Sequence, residues 1–258
     1  MNALVAAGAR INAKDGKPEK YSRRHGGSTP LLLAVKWMNA ESIDALVRLG
    51  ADANAKDMRR MNALHHVVEN QLPCLYRYND VSPERQTAHD MDLKASFDRM
   101  TEIASTLIRA GADVNLKDSD GCTPLMRVFK RTDYHKYGDS PLFVRLCEVL
   151  RQGSNLSLRN RKGESVLTLL ANWASVELVR TLLDAAGPSL SLDWRDETGQ
   201  TALIFATRAS PSRIDTCKLL LERGAKPNLR DVQNRTALGY AGCNADLRQL
   251  IQEHGGRT

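Results

Sequence analysis

Apolar residues in this chain come in short bursts, each framed by the same small and polar residues. Alignment of the bursts on the residue just before them gives six equivalent positions: Thr29, Asn62, Thr123, Ser165, Thr201 and Thr236. Two residues after each stands a leucine without exception: Leu31, Leu64, Leu125, Leu167, Leu203 and Leu238. Two residues before stand Gly27, Arg60, Gly121, Gly163, Gly199 and Asn234. A second amphipathic stretch follows each burst, as in "AESIDALVRLGA", with apolar positions at helical spacing. The pattern predicts a recurring unit of turn, short helix, loop and second helix, repeated at a period that marks stacked repeats.

Each column of the frame has a physical reason. Thr, Ser and Asn all carry an oxygen that caps a helix N-terminus, so the two departures from Thr keep the chemistry. Pro30 and Pro124 follow the cap at the first helical position, where a missing N–H is harmless. The preceding Gly suits a turn residue with positive φ, and Asn234 is a tolerated substitute. Arg60 is not, so its turn is expected to be strained or differently shaped. Gly8, Gly50, Gly111, Gly153 and Gly224 are placed to end the second helices.

The strings "GSTPLLLAV…LVRLGADANAKD" and "DGCTPLM…LIRAGADVNLKD" resemble the ankyrin repeat. The resemblance covers nearly the whole chain outside its insertions. It implies an all-α fold, a solenoid of stacked antiparallel helix pairs with β-hairpin-like finger loops, in which no single repeat buries its own apolar face. Residues 1–26 form an N-terminal partial repeat with a lengthened finger, either truncated or serving as a cap. Repeats follow at 27–58, 59–118, 119–160, 161–196 and 197–231, and 232–258 is a more polar capping repeat. Together they make one ankyrin-repeat domain, 1–258.

Three stretches break the frame. The interval from Thr29 to Gly50 is 21 residues, but Asn62 to Gly111 is 49 and Thr123 to Gly153 is 30. The first finger is also long, 17 residues from Asn12 to Thr29 against 8 from Asn54 to Asn62. These insertions hold five of the six tyrosines, Tyr21, Tyr76, Tyr78, Tyr134 and Tyr137, beside Arg and Lys. Tyr76, Tyr78, Tyr134 and Tyr137 are candidate partner contacts, since Tyr and Arg are enriched at hot spots; the alternative is that they fold back onto the solenoid edge. Leu93, Phe97, Met100, Ala104 and Leu107 keep a helical stripe, so the second insertion is expected to lengthen the helix after it.

The resemblance implies that partners lie against the finger tips and first helices. Six residues before the capping position stand Lys56, Lys117, Arg159, Arg195 and Arg230, with Lys14 in the first finger. All are basic, and in a solenoid they would align. Arg59, Arg60, Arg161, Lys162 and Arg235 lie on neighbouring finger positions. The bland alternative is a solvated column diluted by Asp57, Asp118, Asp196 and Asp231, whose carboxylates are expected to bond turn amides. Eight residues after the cap, Trp37 and Trp173 replace residues such as Asn70 and Ala209, as candidate anchors or as packing for a loop.

Composition narrows this little. A net charge of +7 permits an acidic partner. The five cysteines, Cys74, Cys122, Cys147, Cys217 and Cys243, are scattered and odd in number, as expected for a reduced, intracellular protein in cytoplasm or nucleus. No apolar run approaches the roughly 20 residues of a membrane span. No P-loop, dinucleotide turn, GxSxG or HExxH is present. His65 sits where the family has a structural histidine, and His66 lacks a carboxylate or thiol at ligand spacing, so no metal or other cofactor is expected. The expectation is a monomeric, non-catalytic scaffold for another protein, with an acidic partner surface. Nucleic-acid or polyanion binding through the basic column is the weaker alternative, and a targeting module of a larger enzyme or signalling protein is another.

Overall fold

The computed structural model describes residues 10–16, 26–69, 83–130, 140–187, 190–209 and 213–257, with only the backbone described for 83–93 and Trp173. Among the described residues the structure is helical, with no strand beyond an isolated antiparallel bridge between Arg159 and Ser165. The chain divides into two compact units. The first is Met1–Val128 with Pro141–Ser154, and the second is Phe129–Ser140 with Asn155–Thr258.

The first unit holds α1 (Pro30–Lys36), α2 (Ala40–Arg48), α3 (Ala63–Glu69), α4 (Pro83–Arg109), most of α5 (Pro124–Lys130) and α6 (Pro141–Arg151). First helix α1 packs on first helix α3, and second helices α2, α4 and α6 pack in turn. The second unit repeats the plan with α7 (Val166–Trp173), α8 (Val176–Ala186), α9 (Ala202–Arg208), α10 (Ile214–Glu222), α11 (Ala237–Tyr240) and α12 (Ala245–Glu253). There α7, α9 and α11 pack in one row and α8, α10 and α12 in another, with each pair also in contact. The invariant leucines, Leu31 through Leu238, are all buried in these rows. Helix α4 spans 27 residues, as the stripe through the second insertion predicts, and Phe97 meets Phe143 of α6 edge-on at 6.3 Å.

Local chemistry sets the helix starts. All six capping residues act as expected: Thr29, Asn62, Thr123, Ser165, Thr201 and Thr236 each accept a bond from the backbone N–H three residues on. Gly50, Gly111, Gly153 and Gly224 leave their helices with positive φ. Gly187 does the same for α8, a site the sequence frame missed because "AAGP" stands there instead of Gly-Ala. Gly8 lies outside the described residues.

The fingers are one turn repeated five times. The N–H of Asp57, Asp118, Asn160, Asp196 or Asp231 donates to the carbonyl four residues on, at 2.9–3.0 Å. The side-chain oxygen of the same residue accepts the amides two and four residues on, at 2.8–3.0 Å. The expectation for the aspartates therefore holds, and Asn160 joins them. Arg60 keeps the shape of its equivalents rather than departing from it: its φ is 59°, like the 62° of Asn234, and its N–H bonds the Asp57 carbonyl. The finger holds the arginine in the left-handed region at a cost of about 1–2 kcal/mol. At Gly199 a side chain would also meet the next finger, since a Cβ there would lie 3.0 Å from Asp231 Cα.

Candidate functional site

The fingers and first helices carry most of the predicted site residues, and their hydrogen bonds show which groups remain for a partner. Successive fingers are stitched by backbone bonds, Met58 to Gly26 and Ser119 to Arg59 in the first unit, Glu197 to Lys162 and Val232 to Thr198 in the second. Beneath them Asn54 donates to the Gly111 carbonyl and accepts the Asp113 N–H, while Asn115 bonds the Gly153 carbonyl. The finger face is thus preorganised, with its own amides and aspartates already satisfied.

The second oxygen of three of the four finger aspartates finds a partner in a first helix, while Asp196 Oδ2 accepts the Thr198 hydroxyl of its own turn at 2.9 Å. Asp57 Oδ2 accepts His66 Nε2 at 3.0 Å, Asp118 Oδ2 accepts Arg127 Nε, and Asp231 Oδ2 accepts the Tyr240 hydroxyl at 2.5 Å. His66, Arg127 and Tyr240 all lie four residues after a cap, one turn into the first helix. Sequence reasoning left His66 without a carboxylate; the finger supplies one from nine residues upstream. Burial alone would raise the Asp57 carboxyl, but the bonds from His66 and the turn amides hold it below the usual carboxylate range. Burial likewise lowers His66, against the pull of Asp57.

His65 is structural, as its place in the frame implied. It is fully buried, with Nε2 2.9 Å from the Cys122 carbonyl of the next repeat. That carbonyl can only accept, so Nε2 carries the proton, while Nδ1 lies 2.6 Å from Asn62 Oδ1 and 3.3 Å from the Asn62 backbone nitrogen. Burial pushes its pKa from 6.5 down to about 4. No cluster of three or more metal-ligating side chains occurs among the described residues.

The basic column does internal work. Lys14 Nζ donates to the Lys56 carbonyl at 2.8 Å, and Arg195 donates to the Arg230 carbonyl, each reaching the same position of the next finger. Arg195 Nε and Arg230 Nη1 also bond Gly199 and Asn234, the positive-φ residues of their own turns. Arg159 lies over the Trp194 ring at 5.0 Å, a stacking partner the sequence frame did not single out. Lys56 and Lys117 are half-buried, whereas Arg159, Arg195 and Arg230 are exposed. Among the neighbouring positions, Arg60, Arg161, Lys162 and Arg235 are exposed; half-buried Arg59 pairs with Glu69 at 3.4 Å. Arg235 stacks on Tyr240 at 4.2 Å.

Two concentrations of surface stand out, one in each unit. In the second, a groove of about 540 Å³ runs among Lys162, Glu164, Glu197, Arg208, Val232 and Arg235. Its complete lining has four carboxylates against three cations, so this groove is not the acid-seeking surface that the net charge suggests. In the first, Trp37 is 82% exposed at the C-terminal cap of α1, Met58 at the finger tip is 62% exposed and Leu33 is 40% exposed. No described segment covers Trp37. The side chain of Trp173, and Tyr76, Tyr78, Tyr134 and Tyr137, lie outside the described residues.

Two ankyrin-repeat family models match the chain, one described as "Ankyrin repeats (3 copies)" over residues 134–231 and one as "Ankyrin repeat" over 26–58. Mouse Inversin is 27% identical over 191 residues, covering 70% of this chain and 17% of that protein. The Drosophila melanogaster transient receptor potential cation channel subfamily A member 1 is 29% identical over 226 residues, covering 87% of this chain and 16% of the channel. The chain thus spans about a sixth of the length of these relatives. An ankyrin repeat domain from Acinetobacter baumannii superposes with a TM-score of 0.63 at 25% identity, covering 88% of this chain and 98% of that one.

Proposed function

This chain belongs to the ankyrin-repeat family, and from that premise we propose that it is a non-catalytic scaffold that binds another protein on its fingers and first helices. Ankyrin repeats generally mediate protein–protein interaction. What carries the reading is the division of labour on the finger face. The finger aspartates are consumed by turn amides and, at Asp57, Asp118 and Asp231, by residues of the first helices, while large apolar and basic side chains stay outside. Such a face is rigid before binding, so little conformational entropy is lost when a partner docks.

An intracellular setting suits the thiols, since Cys122, Cys147, Cys217 and Cys243 form no disulfide. No helix among the described residues is long and apolar enough to cross a membrane. The exposed basic tips Arg60 and Arg161 support attraction of an acidic surface. The test is titration of a captured partner against wild type and an Arg60→Glu, Arg161→Glu variant over a range of salt. Affinity should fall with salt and with charge reversal. Affinity indifferent to both would remove the acidic-partner element. Retention on single-stranded oligonucleotides with no protein partner captured would favour polyanion binding instead.

A further inference from the structure

Resting on the protein-binding reading above, we infer that one finger edge of the second unit receives an extended acidic segment of the partner, with Asp or Glu at about every third residue. The edge is the row Arg159, Arg195 and Arg230, with Arg161 at a finger tip.

Charge is sorted within the second unit. Its fingers (159–164, 195–200 and 230–235) and first helices α7, α9 and α11 hold seven Arg or Lys against four Asp or Glu. The second helices α8, α10 and α12 reverse the balance, with six Asp or Glu against three Arg or Lys. Inside the fingers the signs separate again. All four carboxylates, Glu164, Asp196, Glu197 and Asp231, line the mixed groove, whereas Arg159, Arg161, Arg195 and Arg230 do not. Those four arginines are exposed. Asp193, two residues before Arg195, is spent on Lys226, whose N–H it accepts at 2.9 Å and whose ammonium it meets at 3.6 Å.

Neutral groups hold the row in place. Arg159 lies over the Trp194 ring, Arg195 donates to the carbonyls of Gly199 and Arg230, and Arg230 donates to the carbonyl of Asn234. Carbonyls and an indole orient a guanidinium without cancelling its charge. Arg195 spends Nε and Nη2 in this way, and a guanidinium has five N–H donors, so donors remain for an incoming carboxylate. The first unit differs: Lys56 and Lys117 are half-buried, and Arg127 is matched by Asp118 and Asp120.

Spacing and chemistry select the occupant. Helices α7, α9 and α11 pack in one row, and packed helices lie about 8–10 Å apart. An extended chain rises about 3.3 Å per residue, so every third side chain meets the next finger. Trp194 already carries Arg159, so this edge offers no bare ring on which a nucleobase could stack. A second copy offering its acidic second helices would make a heterologous contact that does not close.

The experiment titrates the full chain into a fluorescein-labelled peptide with Glu at every third residue and Gly or Ser between, read by fluorescence anisotropy. A peptide of the same composition with its Glu residues adjacent, and an oligothymidylate of equal charge, are the comparisons. The spaced peptide should bind most tightly, and its affinity should fall with salt. Arg159→Glu with Arg195→Glu should weaken it about tenfold or more. Arg161→Glu, which disturbs no finger contact, should weaken it less, and Arg180→Glu on α8 should leave it unchanged. Circular dichroism melts of each variant separate lost binding from lost folding. Equal binding by the double variant, or of the adjacent-Glu peptide, overturns the proposal. Tighter binding of the oligothymidylate overturns both it and the protein-binding reading. Self-association in sedimentation that the double variant abolishes would assign the edge to a second copy instead. A captured partner protein that the double variant still binds at full affinity would reject the edge yet leave the protein-binding reading standing.

Discussion

At the scale of single residues, the finger turn makes the sharpest demands. Arg60 occupies a left-handed conformation that glycine adopts without strain, and nothing in the turn requires its side chain. Arg60→Gly is expected to raise stability by about 0.5–1 kcal/mol, the left-handed strain relieved less the entropy glycine adds to the unfolded chain. Gly199→Ala should do the reverse and cost about 2 kcal/mol or more, because a positive φ of 76° coincides with a close approach to the next finger. Urea unfolding of both variants checks the pair, and a neutral Gly199→Ala would contradict the turn geometry.

His65 makes a second residue-scale prediction, with a definite sign. Its pKa falls from 6.5 to about 4 on folding, so between those values the unfolded chain binds a proton that the folded one refuses. Stability from this site is complete above pH 6.5 and lost progressively down to about pH 4, by about 3 kcal/mol. His66 shifts in the same direction and adds to the loss. Urea midpoints followed from neutral to acid pH should show this slope, and His65→Gln should flatten it. Thiols give an independent check on burial. Cys147 is pushed well up and Cys217 to about 11 by burial, while Cys243 is exposed. Under native conditions an alkylating reagent should label Cys243 first among the described thiols, with Cys147 and Cys217 protected until unfolding.

At the scale of elements, the helices were legible in the sequence wherever one residue type does one local task. A cap at Thr29 or Ser165 and a leucine two residues later depend on neighbours within a turn, so the same letters return. The second helices were legible by spacing, including α4, whose stripe continues through Phe97 and Met100 into the stack. Phe97→Ala should cost about 3–5 kcal/mol, measured as the denaturant midpoint of the first unit, because it empties a site against Phe143. The clamp on the finger aspartates was not legible, because His66, Arg127 and Tyr240 perform it with three unlike side chains and leave no column to see. The basic column was visible as charge, but not its use. Sequence shows the sign of Arg195, not that its guanidinium reaches the carbonyl of the next finger.

At the scale of the molecule, the excess of +7 is not evenly offered to a partner. Part of it anchors fingers to one another, the groove of the second unit is mixed in sign, and the first unit exposes the large apolar residues Leu33, Trp37 and Met58. On the proposed function the protein recognises partners by a fixed surface, so the location of the bound face is the point to test. The most direct measurement is amide hydrogen exchange of the full chain with and without a captured partner. Binding should slow exchange in residues 26–37 and 57–62, the α1 region and the adjoining finger, and leave α2 and α6 unchanged. Slowing confined to those second helices, with the fingers exchanging as before, would contradict the account.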